Sequence, residues 1–368
     1  MRVLSTLLAL AVYASASRIV RFISDDGKIY TGDAILVNGS TDASKSTRAR
    51  VIQGDVLKNF TVTSEIKTIT HLLAPLAPQD TRTVRCVGFN YAHPRAASAK
   101  LEGYSIECPS KAHSVPIHFP ELNRVDFAGS AGTATPPTHA DEANVTIPDF
   151  PILFFKPWTA LAPPNGQVPV TEGYQTQGNF TSEMDYEAEL VVVISKQAYN
   201  ISVDEALSVV SGFSVGYDVS HRGWQIARGG SPQPQYSMGK DADGWAPWGP
   251  AITTPDEISN VQNLSIWAKV NGVTKQNDTT ANMLFGVAEL VSFFSMGITL
   301  LPGDIIYTGT PSGVQLGQAD PVWLVDGDVV EVGLEGLGTC TSTITNSNAT
   351  TSAFDPVLGF TGVHGSHA

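Results

Sequence analysis

Residues 185–195 read DYEAELVVVIS, with two glutamates two positions apart at the head of an apolar run. A β-strand has a side-chain period of two, so Glu187 and Glu189 project from one face while Ala188 and Leu190 point to the other. Like charges that close can be a solvated edge, a salt-bridged pair, or ligands of a cation, and confinement favours a cation or a proton. A third acid, Asp218 in SVGYDVSHRGWQ, lies in a strand-to-loop setting between Gly216 and Gly223. Glu187, Glu189 and Asp218 together offer three hard oxygen donors. Magnesium suits such a set because it prefers octahedral oxygen coordination and keeps water-filled positions. Manganese or calcium could replace it, since cavity size is not written in the sequence.

The elements that must hold these acids are short and β-rich. IVRFI, KIYTGDAI and ARVIQGDVL, joined by Gly, Asp and Asn turns, predict a small β-rich N-terminal region over residues 17–80, with a turn at Asn38 and Gly39. A main domain follows over 84–345. It holds two helical patterns, VDEALSVVSGF from Val203 with Ser202 or Asp204 as cap, and MLFGVAELVSFFSMG from Met283. Asn271 and Gly272 predict a tight hairpin after LSIWAKV, and DGDVVEVGLEGLGTCTSTI reads as paired strands. Many short strands without repeating strand and helix units predict a mixed α/β, predominantly β fold, closed or rolled, rather than a doubly wound sheet. Residues 346–368 read as a disordered tail.

The chain's 368 residues, 42% hydrophobic and 15% charged, suffice for a large core. A net charge of −13 without a dense Lys/Arg block argues against nucleic acid or an anionic membrane as partner and points to small molecules or cations. MRVLSTLLALAVYASAS has the form of a short secretory signal over residues 1–16, and no later stretch is long and apolar enough for a membrane span. Eight N-x-[ST] triplets begin at Asn38, Asn59, Asn144, Asn179, Asn200, Asn263, Asn277 and Asn348; such triplets also arise by chance and support a secretory route only weakly. Cys86, Cys108 and Cys340 have no metal-type spacing and allow one disulfide.

CVGFNYA, FPILFFKPWTAL, DYEAELVVVIS, GYDVSHRGWQ, GKDADGWAPWGP and TLLPGDIIYTGTPSGV occur in this order between about residues 84 and 345. Taken together they resemble the successive motifs of the fumarylacetoacetate hydrolase superfamily, although each is weak alone. The resemblance implies a mixed β-roll catalytic domain, usually a homodimer, holding Mg2+ or Mn2+ and acting on 2-oxo acids or β-dicarbonyl compounds by C–C hydrolysis, decarboxylation or isomerisation. It implies that Glu187, Glu189 and Asp218 are the metal carboxylates, Lys240 the active-site lysine, Thr310 a substrate-carboxylate contact and Gln225 a further substrate contact. Arg222 and Lys156 fall in matching segments, where a structural role serves as well.

The first motif is interrupted. The superfamily pattern N-Y-x-x-H-A-x-E is met here by NYAHPRAA, with His93 one place early and no glutamate, while THADEANVTIPDFP further on supplies His139 and Glu142. Removing residues 93–137 restores the spacing, so this Ser-, Ala- and Pro-rich stretch reads as an insertion, either translated intron or a surface extension. His139 and Glu142 are one helical turn apart, which lets a glutamate orient a histidine base. The expected reaction is metal-dependent hydrolysis of a C–C bond in an acylpyruvate or related 2-oxo acid. The alternatives are oxaloacetate decarboxylation, isomerisation or hydration of a 2-oxo acid, or an inactive scaffold. The expected compartment is secretory, with cytoplasm or mitochondrion, usual for the superfamily, as the alternative.

Overall fold

The structure, a computed structural model, describes residues 18–91, 147–171, 183–228 and 234–361. The signal-like N-terminus, the 93–137 insertion, and His139 and Glu142 lie outside the described residues.

Strands dominate, in agreement with the expected fold class. The N-terminal region forms β1 (Arg18–Ile23), β2 (Ile29–Ala34), β3 (Arg48–Gly54), β4 (Phe60–Thr68) and β5 (His71–Leu73). It is followed by β6 (Val84–Gly88), β7 (Ile152–Lys156), β8 (Leu161–Ala162), β9 (Gln167–Thr171), β10 (Met184–Asp185), β11 (Ala188–Ile194), β12 (Val210–Tyr217), β13 (Ser220–His221) and β14 (Ala246–Thr253). The last strands are β15 (Ser265–Val270), β16 (Val273–Thr279), β17 (Ile305–Tyr307), β18 (Val329–Leu334), β19 (Gly338–Ser347), β20 (Phe354–Asp355) and β21 (Gly359–Phe360). Among the described residues three short α-helices accompany them: α1 (Val203–Ala206), α2 (Tyr236–Lys240) and α3 (Val287–Ser295).

One large sheet runs β4-β3-β2-β1-β14-β12-β11-β17-β6-β7, with β5 joined to β1 and β8 to β14. The N-terminal strands therefore continue the sheet of the main domain through the antiparallel β1–β14 pair. A five-stranded sheet, β16-β15-β18-β19-β9, packs against it. Pairing is mostly antiparallel, with parallel β17–β6, β14–β8 and β19–β9.

After Glu189 the run LVVVI is apolar throughout because β11 is buried on both faces. Leu190, Val192 and Ile194 enter the main core with Ile266, Val330 and Leu290. Val191 and Val193 enter a second core with Trp248, Tyr307 and Ile19. At about 1.5–3 kcal/mol for each fully buried aliphatic side chain, this strand is the anchor from which the acidic residues at its head are held.

The glycine turns form as predicted. Asn38 and Gly39, and Asn271 and Gly272 between β15 and β16, all have positive φ (51°, 73°, 50° and 78°), the geometry that favours Asn-Gly in tight turns. Two expectations are corrected. VDEALSVVSGF is not one helix: Ser202 caps a single turn in a capping box with Glu205, and from Val210 the chain is strand β12. Val209, Val210, Phe213 and Val215 are β-branched or aromatic and all are buried, so sheet packing overrides the helical spacing. Nor are residues 346–361 a loose tail. β20 and β21 pair, Phe360 is buried, and the Arg21 guanidinium donates to the carbonyls of Val357 and Leu358. Cys86 and Cys340 are buried and free, while Cys108 lies outside the described residues.

Candidate active site and metal centre

The three acids meet at the head of β11. Glu187 immediately precedes the strand, Glu189 is its second residue, and Asp218 follows β12, its antiparallel neighbour. The backbone N–H of Asp218 donates to the Glu187 carbonyl at 2.9 Å, tying the two segments together. One carboxylate oxygen from each of Glu187, Glu189 and Asp218 lies within 4.8 Å of the others, and all three residues are buried. The solvated-edge reading is thereby removed.

Basic side chains surround the acids without balancing them. Lys156 Nζ is 2.7 Å from Asp218 Oδ1 and donates to the carbonyls of Val219, Lys240 and Trp245. Lys240 Nζ lies 2.6 Å from Asp218 Oδ2, 3.1 Å from Glu187 Oε1 and 2.6 Å from Ser220 Oγ. Arg222 bridges Asp185 at 2.8 Å and Glu187 at 2.6 Å, and its Nη1 donates to Gln225 Oε1 at 2.8 Å. Asp185 is held further by the backbone N–H groups of Tyr186, Gln315 and Leu316. Among the described residues four carboxylates, on Asp185, Glu187, Glu189 and Asp218, thus face three cations, on Lys156, Lys240 and Arg222.

The uncompensated charge falls on Glu189. Its Oε2 accepts from the Gly309 N–H at 2.7 Å, but among the described residues Oε1 has no hydrogen-bond partner, and the residue is fully buried. Burial, then Asp218 and Glu187, push its carboxyl well above the ordinary glutamate range. For Lys240, burial works to lower the pKa, but Asp218 and Glu187 outweigh it and hold the ammonium above the usual lysine value. A buried carboxylate oxygen without a partner, beside two other acids, calls for a proton or a cation. The set of three hard oxygens therefore fits a divalent metal.

Gly309 makes this arrangement possible. It follows β17 with φ +93°, and a Cβ there would come within 2.7 Å of Asn90 Cβ, so only glycine brings its N–H onto Glu189. Asn90 secures the loop, donating to the carbonyls of Thr308 and Phe285 and accepting from the Phe285 N–H.

A small cleft opens beside the acids. Its lining includes Glu187, Arg222, Gln225, Lys240, Thr310 and Phe154. The sequence-predicted residues Lys240, Gln225 and Thr310 thus stand around one opening with Glu187, while the positions of His139 and Glu142 are not described. Lys156 and Arg222, left undecided by the sequence, hold Asp218 and Glu187 directly. Their buried basic character emerges only when β7 and the segment after β13 are packed onto the acids.

Residues 121–345 match the fumarylacetoacetate (FAA) hydrolase C-terminal family. The chain belongs to that family. Over 217 residues it is 41% identical to the fumarylacetoacetate hydrolase domain-containing protein 2 homolog of Dictyostelium discoideum, a match covering 56% of this chain and 67% of the relative. The crystal structure of a 2-hydroxyhepta-2,4-diene-1,7-dioate isomerase from Mycobacterium marinum superposes with a TM-score of 0.63 at 26% identity, covering 90% of this chain and all of that one. A fumarylacetoacetate hydrolase from Exiguobacterium antarcticum shares the fold with a TM-score of 0.60 at 24% identity, covering 90% of this chain and 100% of its own. The protein is therefore an enzyme of a superfamily of hydrolases and isomerases, with a buried acidic triad able to hold a metal.

Proposed function

We propose that the protein is a divalent-metal-dependent hydrolase that cleaves a C–C bond in an acylpyruvate or a closely related 2-oxo acid. The observation that carries this reading is the unpartnered, buried Glu189 Oε1 within the acidic triad, beside a cleft lined by hydrogen-bond donors. Glu187, Glu189 and Asp218 are the residues to hold the metal. When bound there, magnesium or manganese supplies a Lewis acid for the adjacent oxygens of a 2-oxo acid.

The side chains around the cleft suit an anionic, oxygen-rich substrate. Lys240 carries its charge at the edge of the triad and offers it to negative charge developing on a substrate oxygen. Arg222 occupies the Gln225 carbonyl oxygen, which leaves the Gln225 amide N–H groups for a substrate acceptor. Thr310 adds a hydroxyl on the same opening. In this reading Glu142 orients His139, and His139 takes a proton from water. The water oxygen bonds to the distal carbonyl carbon, the C–C bond breaks, and its electron pair passes to the pyruvate fragment as an enolate that is then protonated. One acylpyruvate and one water give one carboxylic acid and one pyruvate.

The isomerase named among the structural relatives supports a second reading, in which the same pocket stabilises an enolate without delivering water. Product analysis separates the two. Purified protein incubated with acetylpyruvate and Mg2+ or Mn2+ is expected to release equal amounts of acetate and pyruvate, and chelation should abolish the release. Metal-dependent consumption of a 2-oxo acid without cleavage would select isomerisation, and pyruvate with CO2 from oxaloacetate would select decarboxylation.

A further inference from the structure

β16 is the outermost strand of the five-stranded sheet, and Val273, Thr274, Lys275 and Asn277 on it are exposed. Between them, Gln276 is only 1% exposed. Opposite β15 the register passes from Ala268–Gln276 to Lys269–Thr274, leaving Lys275 as an extra residue in a β-bulge. A bulge bends its strand and re-aims the neighbouring side chain. Here it turns a glutamine from a solvent-facing edge strand toward the acidic site.

All three hydrogen-bonding valences of the Gln276 amide that face the interior are used. Its Oε1 accepts from the Ala188 N–H at 3.0 Å, and its Nε2 donates to Thr310 Oγ1 and to the Pro311 carbonyl, each at 2.8 Å. The chemistry fixes which end is which, because the Ala188 N–H can only donate and the Pro311 carbonyl can only accept. Ala188 is the residue between Glu187 and Glu189. Thr310 Oγ1 accepts a hydrogen bond from Gln276, so its own O–H is free to point elsewhere, and Thr310 lines the cleft with Lys240 and Gln225.

We propose that Gln276 is a positioning residue that holds the Thr310 hydroxyl as a donor toward the substrate carboxylate while fixing the strand segment between the two glutamates. The inference rests on the acylpyruvate reading above. It assigns a function to a side chain of the second sheet that none of the motifs around the acids contains.

The decisive variant is Gln276→Glu in the full-length, metal-loaded protein. A carboxylate at this position still accepts from the Ala188 N–H, but it cannot donate to Thr310 and instead accepts a hydrogen bond from the Thr310 O–H. KM for acetylpyruvate and the Kd of oxalate, a non-enolisable mimic measured by calorimetry with Mn2+, should each rise about tenfold, as for Thr310→Val, while kcat changes less than about threefold. The double variant should be no weaker than either single one, because both remove the same donor. Gln276→Met, which keeps the volume without a charge, should give the same rise in oxalate Kd and so separates loss of the donor from added charge. Unchanged oxalate and acetylpyruvate parameters in folded Gln276→Glu, or multiplicative losses in the double variant, would overturn the positioning role alone. Wild-type protein without metal-dependent cleavage would overturn the underlying reading and this inference with it.

Discussion

At the scale of single residues, Lys240 has two roles that experiment can separate. Its ammonium sits between Glu187 and Asp218, pairing with two of the three acids, and a divalent cation on the triad would use the same carboxylates. On the proposed reading the lysine would therefore compete with the metal for charge while serving the substrate as an electrostatic partner. Replacing Lys240 with Met should reduce turnover by about 100-fold or more, the usual effect of removing one stabilising donor. The same replacement should leave Mn2+ affinity equal to wild type or tighter, because a competing cation has gone. Calorimetric titration of Mn2+ into the variant decides this, and weakened binding would mean that Lys240 organises the carboxylates instead of competing for them. Among the described residues Glu189 has no such partner, which is why its orphan oxygen and not the triad's proximity alone argues for a metal.

At the scale of elements, the two-residue strand β13 shows how local packing writes a pH dependence. It pairs with β10, so His221 lies opposite Met184. The His221 ring is buried and stacks on Trp245. Arg228 Nη1 is 3.4 Å from its Nε2, and the Trp224 N–H faces its Nδ1 at 3.3 Å. Burial first, then the Arg228 charge, lower its pKa to about 4 from the ordinary value of 6.5. The folded protein therefore keeps this ring neutral where the unfolded chain protonates it. Between pH 6.5 and about 4 the unfolded state binds more protons, so stability is fully present above this window and is lost as pH falls through it. Thermal melts from pH 7 to 4 should show this acid loss in wild type and a shallower one in His221→Gln; parallel curves would assign the loss to other groups. The elements themselves were unevenly legible. The period of two placed Glu187 and Glu189 together, and Asn-Gly at 38–39 and 271–272 announced their turns, because these signals are local. Apolar spacing at Val209, Val210 and Phe213 could not distinguish a helix from a doubly buried strand, since both faces of β12 are covered. Gln276 was invisible for a different reason: in sequence it is one polar residue on a polar edge strand, and only the bulge at Lys275 turns it inward.

At the scale of the whole molecule, the distribution of sequons bears on where the chain folds. Eight of its fifteen asparagines begin an N-x-[ST] triplet, and with 64 serines and threonines among 368 residues about two or three would do so by chance. The six within the described residues, Asn38, Asn59, Asn200, Asn263, Asn277 and Asn348, are all exposed. Two of them lie at sheet edges. Asn59 directly precedes β4 at one end of the large sheet, and Asn277 lies on β16 at the edge of the smaller one. An edge strand presents unpaired backbone groups that template association, and a bulky hydrophilic modification on it blocks that pairing. Neither position lines the candidate cleft, so glycans there would leave substrate access open. Expressed from its full sequence in a eukaryotic host with a secretory pathway, the protein should lose mass on treatment with peptide N-glycosidase. Asn59, Asn263 and Asn277 should be recovered as aspartate in the released peptides, and Asn277→Gln should increase self-association without altering KM. Recovery of an unmodified, active chain from the cytosol would place it instead with the compartments usual for its superfamily, and the excess of triplets would then need an explanation in surface polarity alone.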